Sequence, residues 1–551
     1  MSFDSLKQRL ALPQTTWQLC LLAVIVGIAS AFLIIAFNLC IEKLQLLYLH
    51  RENDYTDIDE NIRLLVPIIG VLVILAFARI TGYKYMRTGI PFVLHRLKVA
   101  HGMIPFRNTL NQFFGSVVAL SSGFSVGKEG PAVHLGAACA SFIGERFSLP
   151  FNSVRTLCAC GIAAGISASF NTPVAAVIFV MEVILREYKV YMFIPIMLAS
   201  IIGAMITQGI HGLNYELSFF KDFSLTVTHY PYLVLLGLCL GVLAFLFNHY
   251  LTRLIKMSAR LSVTKRLLIA AVLTSALGYI APHAMSNSLI TDFSSASQWP
   301  MQLLFTLLLA KLLMTIVAIG LGIPGGVVGP IISIGAIAGL CAAVLLSNYF
   351  PSNQITSDFA LMGMAGFMAA TLNAPLAALM AVTELSHQID LIVPAMIVIT
   401  SSCLSAGQFF KNRSLFTMQL DIQGLTYRQT PIESSLQKIG VLAVMQRTFK
   451  MIKSEEKEAI IEHFNDENDE LIVIKVEEEQ THYQLLSKID NKLTGTPLYP
   501  LSSKVTLAEA YQLTSRHRSG GVLIYQDNVE EFLGIVTFEQ IRQYLLQGKL
   551  S

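Results

Sequence analysis

Charge is what this 551-residue sequence has least of. Asp, Glu, Lys and Arg make up 14% of it, apolar residues 54%, and the mean hydropathy is +0.59. Ordinary soluble domains are about 25% charged, so long stretches must lie out of water. The shortage is uneven. Residues 1–420 hold 25 basic and 17 acidic side chains, net +8, while residues 421–551 hold 14 and 19, net −5. That is about one charge in ten residues before 421 and one in four after it. The chain therefore reads as a membrane part, 1–420, followed by a soluble tail, 421–551. The acidic tail excludes nucleic acid as an expected partner.

Cysteine is scarce and confined. All eight (Cys20, Cys40, Cys139, Cys158, Cys160, Cys239, Cys341 and Cys403) lie in the membrane part, none at Cys-x-x-Cys spacing. They read as apolar packing residues, and no metal site is expected. The apolar segments also lack a His-Glu-x-x-His, a pair of catalytic Asp residues and a Ser/His dyad, so an enzyme is not expected. Gly123 to Lys128 is not a phosphate-binding loop. Three residues, not four, separate Gly123 from Gly127, and Glu129 stands where a magnesium-binding Ser or Thr would be needed.

Long apolar runs are what the sequence does have. Trp17 to Leu49 follows Lys7 and Arg9. It exceeds a signal-peptide core of about 7–15 residues and reads as a retained, tilted membrane helix. Thirteen further segments fall near 64–80, 107–126, 131–143, 154–170, 173–185, 190–210, 231–250, 267–282, 302–322, 330–349, 358–372, 375–386 and 390–410. Several are shorter than the about 20 residues a span needs, and Gly and Pro interrupt many. Such segments predict discontinuous helices, tolerated where protein or water satisfies the freed backbone groups. The loops at 79–107 and 251–266 carry basic residues and no acid, whereas 50–61 carries Glu52, Asp54, Asp57, Asp59 and Glu60. The basic loops are expected in the cytosol, with both termini and the tail. Lys311, inside an apolar segment, needs a partner, for which an ion pair is expected.

Two motifs recur. GKEGPAVHLGA at 127–137 aligns with GVVGPIISIGA at 326–336, and GIAAGISASFNTPVAAVIFVMEV at 161–183 with GMAGFMAATLNAPLAALMAVTEL at 363–385. In the second pair nine of 23 positions are identical, Asn171-x-Pro173 and Glu182 among them. The fold class that follows is an all-α polytopic membrane protein. Two inverted-topology repeats of broken helices meet at the midplane, where the ligand binds, and a C-terminal α/β domain follows. Glu182 and its counterpart Glu384 are both acidic, which fits a structural role used twice. Glu129 aligns with Val328, so the fold itself needs no carboxylate there.

Gly127-Lys128-Glu129-Gly130-Pro131 stands between two apolar runs. Pro131 suits a first helical turn and the glycines permit close approach. A helix starting there aims free N–H groups and a positive dipole end at whatever lies ahead. Gly326 to Pro330 builds the same feature in the second half. Two such starts facing one point would bind an anion without full charges. Glu129 then sits where the anion would. Ionised, it fills the site; protonated, it swings away and acts as a gate. His134, in Pro-x-x-His, is expected to make a structural hydrogen bond.

On these motifs the chain resembles the CLC family of chloride channels and chloride/proton exchangers, over most of its length. Thr88-Gly89-Ile90-Pro91 is similar to the family's Ser-Gly-Ile-Pro motif, residues 127–131 to its Gly-Lys/Arg-Glu-Gly-Pro motif, and Gly326–Pro330 to its Gly-x-x-x-Pro motif. The resemblance implies a homodimer in the cell membrane, one anion pathway per subunit, and Glu129 as the external gate. It implies a central anion on the Thr88 hydroxyl and the amides of Val327 and Val328. It also implies an outer anion on the amides around Lys128, Glu129 and Gly130. Chloride is the expected ion.

The chain departs from the family at four positions. Thr88 replaces Ser and keeps a hydroxyl. Arg87 replaces a usual Gly, making the inner vestibule narrower or more positive. Phe416 stands where a Tyr hydroxyl usually helps hold the central anion, and Phe cannot donate. Val183 stands where exchangers similar to the bacterial ones carry an inner proton-accepting Glu. Met181-Glu182-Val183 reads like the channel members, so a chloride channel or uncoupled transporter is expected. The alternative is a chloride/proton antiporter whose inner side uses Glu182, Glu187 or water.

The tail resembles a pair of cystathionine-β-synthase-type (CBS) modules, the first degraded. Strands are expected at 470–476, 521–525 and 532–536, and helices at 455–464, 507–515 and 539–546. Such modules bind adenine nucleotide through Ser/Thr-x-x-Asp, which Ser487-Lys488-Ile489-Asp490 matches and Thr537-Phe538-Glu539-Gln540 does not. The other role such a tail fills is dimerisation and support of gating. No further cofactor is expected.

Overall fold

Apolar runs with good helix formers become helices because a bilayer offers the backbone no partner outside its own i to i−4 bonds. A computed structural model describes residues 3–50, 53–56, 58–212, 225–285, 299–346, 353–425, 430–453, 471–477, 481–489, 492–526, 528 and 531–547. Among the described residues, nine helices are long and apolar enough to cross a membrane, and Pro173–Leu185 and Pro375–Ser386 are shorter apolar helices. The polytopic helical fold expected from the sequence is present. The outer faces are apolar as lipid requires: Leu21, Ile25 and Phe32 of Trp17–Gln45 are exposed.

The chain parts into two units. One holds Cys20–Ile143 and Leu157–Tyr427; the other holds Met1–Leu19, Gly144–Thr156 and Arg428–Ser551. The second unit thus takes in the helix Phe3–Ala11 and the turn at 144–156, segments whose composition carries no mark of the tail.

In the membrane unit the repeat becomes contact. The Gly136 and Gly161 backbones touch where Glu129–Arg146 meets Phe151–Phe170. Gly335 and Gly363, their aligned partners, touch where Val328–Leu346 meets Asn353–Leu372. A Cβ on Gly335 would stand 2.5 Å from the Gly363 oxygen, so neither helix pair closes with side chains at these points.

The aligned acids are exchanged between the halves. The Glu182 carboxylate accepts from the amides of Leu376 (3.3 Å) and Ala377 (2.6 Å), the first turn of Pro375–Ser386. Glu384 accepts from Val174 (3.0 Å) and Ala175 (2.7 Å), the first turn of Pro173–Phe179. Each half therefore caps a helix start of the other, which is the structural role expected of this pair. A carboxylate there meets both the orphan amides and the positive dipole end.

Of two buried polar residues singled out in the sequence, His134 differs from expectation. Lys311, fully buried, donates to the Ala284 carbonyl at 3.3 Å. His134, also fully buried, makes no hydrogen bond among the described residues; its ring stacks on Phe92, centroids 5.5 Å apart. The face that Pro-x-x-His presents is packed by an aromatic ring, so the expected hydrogen bond gives way to stacking.

In the tail unit one six-stranded sheet runs in chain order: β1 Phe449–Lys453, β2 Leu471–Glu477, β3 Thr481–Ile489, β4 Lys492–Ser502, β5 Gly521–Tyr525 and β6 Phe532–Thr537. β1/β2 and β4/β5 pair parallel; β2/β3, β3/β4 and β5/β6 pair antiparallel. Parallel pairing followed by a hairpin occurs twice, so two equivalent units lie side by side. Helix Leu507–Thr514 makes the parallel crossover of the second; the helix expected at 455–464 lies outside the described residues. Strands 470–476, 521–525 and 532–536 and helices 507–515 and 539–546 are found within a residue or two of expectation. The long β3/β4 ribbon was not expected. Ala11, Leu436, Val441, Leu507, Val522 and Ile541 share the core under the sheet. Thr430 and Glu433 form a capping box, and the Thr430 N–H holds the Glu433 carboxyl below its ordinary range.

Replacing Glu384 by Ala leaves the amides of Val174 and Ala175, in the first turn of a short apolar helix, without their acceptor. Hydrogen exchange at Val174 and Ala175 is expected to accelerate by at least about tenfold, the equivalent of 1.4 kcal/mol. Glu182→Ala should do the same at Leu376 and Ala377, with each effect confined to the opposite half.

Candidate functional site

Glu129 opens Glu129–Arg146, and Val328 opens Val328–Leu346. Just ahead of these starts, Gly127 and Gly326 form an isolated antiparallel bridge. The Gly127 N–H donates to the Gly326 carbonyl and the Gly326 N–H to the Gly127 carbonyl, both at 2.7 Å. The bridge tolerates no side chains. A Cβ on Gly326 would stand 2.5 Å from the Gly130 nitrogen and 3.1 Å from Glu129 Oε2. One on Gly127 would collide with Glu129 Oε2 and stand 2.9 Å from the Gly329 nitrogen. One on Gly130 would stand 2.8 Å from Gly326 Cα.

The Glu129 carboxylate thus lies against both glycines, between two helix starts, with 6% of the residue exposed. Converging dipole ends favour negative charge at that point.

A cavity of about 50 Å³ opens beside it, lined by Glu129, Val328, Thr172, Phe179, Ala175 and Ala377 among others. The last two are the residues whose amides hold Glu384 and Glu182. The cavity joins the Glu129 carboxylate to both crossed caps.

The remaining expected residues are distributed around this point. Val327 and Val328 are buried, 3% and 4% exposed. Gly130 is buried and Lys128 half-buried. Thr88 is the extended residue ahead of Gly89–Val99 and lines a separate small cavity with Asn111, Gly115 and Pro324. A Cβ on Gly89 would stand 3.9 Å from the Gly325 carbonyl, so the Thr88 motif does reach the second half. Phe416 is buried at the start of Leu415–Ile422, which packs on Gly89–Val99. Val183 is buried in a π-helical segment, Val180–Leu185. In the tail, Asp490 lies outside the described residues, and Ser487 is placed by its backbone, opposite Thr494. Gln540, in the second copy's Asp position, accepts from the Thr537 N–H at 2.9 Å.

One contact was missed from the sequence. Arg186, left-handed at the end of the π-helical segment, donates to the Thr417 hydroxyl at 2.5 Å. It ties the helix carrying Phe416 to the one carrying Glu182. No motif announces it, since 231 residues separate the partners.

Comparison with known proteins agrees with this geometry. Residues 68–407 match the family model described as "Voltage gated chloride channel". A protein of Ralstonia nicotianae called a putative chloride channel protein ClcB-like is 28% identical over 408 residues, covering 70% of this chain and 92% of the relative. Among solved structures, a slow cyanobacterial Cl−/H+ antiporter superposes with a TM-score of 0.66 at 20% identity, covering 74% of this chain and 98% of its own. A eukaryotic CLC transporter gives 0.61 at 19%, covering 95% and 97%. A CLC-type fluoride/proton antiporter gives 0.61 at 22%, covering 73% and 97%.

Gly130→Ala and Gly326→Ala should each force the two helix starts apart. Anion efflux from proteoliposomes is expected to fall more than about tenfold, a loss equivalent to 1.4 kcal/mol. Gly209→Ala is the control, because nothing lies within 4 Å of the added Cβ.

Proposed function

The chain belongs to the voltage-gated chloride channel family, and from that premise we propose that it conducts chloride through a pathway in each subunit of a homodimer, gated by Glu129 and without obligatory proton exchange. The position of the Glu129 carboxylate carries this reading: it lies against Gly127 and Gly326, between two helix starts. An ionised carboxylate competes with chloride for that point. A protonated one loses the attraction of the helix ends and yields it. Val183 supports the uncoupled form, since a buried Val offers no inner proton acceptor. Phe416 supports loose central binding, since it cannot donate to an anion.

A second reading, chloride/proton antiport, is favoured by one observation. The cavity beside Glu129 is walled by Ala377, whose amide holds Glu182, so Glu182 is the inner acid this reading would use. The basic loops at 79–107 and 251–266 support a cell-membrane orientation with both termini in the cytosol, and the tail is assigned to dimerisation and gating support.

Chloride efflux from proteoliposomes, with voltage set by valinomycin and internal pH recorded, tests both. Chloride flow without proton movement is the expected result; uphill proton movement would establish antiport instead. Absence of chloride flux would overturn both. Wild-type efflux should rise as pH falls through the carboxyl range, and Glu129→Gln should be fast at every pH. Phe416→Tyr, which restores a donor, should slow efflux and tighten chloride binding.

A further inference from the structure

Thr88 precedes Gly89–Val99 in extended backbone, φ −144° and ψ −177°. A threonine so placed ordinarily spends its side chain on the free amides of the helix start. Thr88 makes no such cap bond. It stands instead in the wall of a cavity of about 10 Å³, the space that one water needs.

Asn111, on Phe106–Ser121, is the second polar residue of that wall and is 5% exposed. The remaining lining residues, Ile74, Phe77, Ala78, Met86, Gly115 and Pro324, carry no side-chain oxygen or nitrogen. One end of the Asn111 amide is already engaged. The Thr81 hydroxyl has one proton and two acceptors in reach, the Phe77 carbonyl at 3.1 Å and Asn111 Oδ1 at 2.7 Å. The shorter contact takes the proton. Asn111 Nδ2 then has no partner among the described residues, and a buried donor in that condition is costly.

We propose that Asn111 is a positioning residue for the anion at Thr88: one water in this cavity accepts from Asn111 Nδ2 and donates to Thr88 Oγ1, which turns the Thr88 hydroxyl proton toward the ion. The direction follows from counting donors. A water that accepts from an amide keeps two protons to give, and Thr88 Oγ1 is the side-chain oxygen of the lining not already engaged. A hydroxyl has a single proton and two lone pairs. With one lone pair filled by the water, the proton is left to the anion, and accepting one bond strengthens the bond given. Thr81 acts one step further back, by holding the amide in place. The proposal rests on the chloride reading above, in which Thr88 holds an ion.

The test is calorimetric titration of chloride into the full chain in detergent micelles, with gluconate as the balancing anion. Thr88→Val removes the donor and should weaken chloride binding about tenfold, the size of one hydrogen bond to a charged group. Asn111→Leu should weaken it by a similar factor, and Thr81→Val, outside the cavity wall, by a smaller one. Ala78→Val puts methyl groups where the water lies and keeps Thr81, Thr88 and Asn111; it should match Asn111→Leu. The deciding variant combines Thr88→Val with Asn111→Leu. A residue that acts through Thr88 adds nothing once that hydroxyl is gone, whereas a merely structural one adds its full effect. Chloride binding unchanged by Thr88→Val would overturn the reading of Thr88 as an anion ligand, and the proposal with it. Weakened binding in Thr88→Val beside wild-type affinity in both Asn111→Leu and Ala78→Val, or additive losses in the double variant, would overturn the proposal alone.

Discussion

Two hydrogen bonds between glycines hold the functional centre together. The Gly127/Gly326 bridge is a fragment of β-structure deep in a helical protein, and it decides where two helices may begin. Each partner comes from a different half; the volume a side chain would need is filled at Gly326 by the backbone of the first half, and at Gly127 by the Glu129 carboxylate and the Gly329 nitrogen. Once the bridge forms, the two dipole ends converge whatever the outer helices do. A carboxylate at the junction needs no cation of its own, because oriented amides supply the positive potential. The apolar cavity beside it, the crossed caps and the buried valines at 327 and 328 are arranged around this one pairing.

Much of this was legible in the sequence because the relevant residues are rare types in fixed spacing. Gly-Lys-Glu-Gly-Pro announces a helix start and a close approach of glycine backbones in five letters. The alignment of Glu182 with Glu384 pointed to a shared structural role, and the caps give its content. The alignment could not show that each acid serves the opposite half, because a repeat records equivalence and not contact. The Arg186–Thr417 bond and the stacking of His134 on Phe92 escaped for the same reason. They depend on which helices become neighbours, and local pattern carries little of that.

The tail shows a different limit. Its second unit follows the sequence closely, since alternating apolar strands and an amphipathic helix are strong local signals. The β3/β4 ribbon was hidden by polar and glycine residues that weaken its strand pattern. That the N-terminal helix and the 144–156 turn belong with the tail was hidden altogether. Composition sorted the chain by solubility and not by partnership.

The crossed glutamate caps set a schedule for biogenesis. Val174 and Ala175 leave the ribosome about 210 residues before the Glu384 that accepts from them. At about 5–20 residues per second, that helix start waits roughly 10–40 s for its acceptor. During this interval the first half is an unfinished object in the bilayer, held by its own packing and by whatever insertion machinery shields it. A nonsense codon anywhere between the two repeats would leave it permanently in that condition, so truncated chains should be substrates for membrane quality control and not half-active transporters.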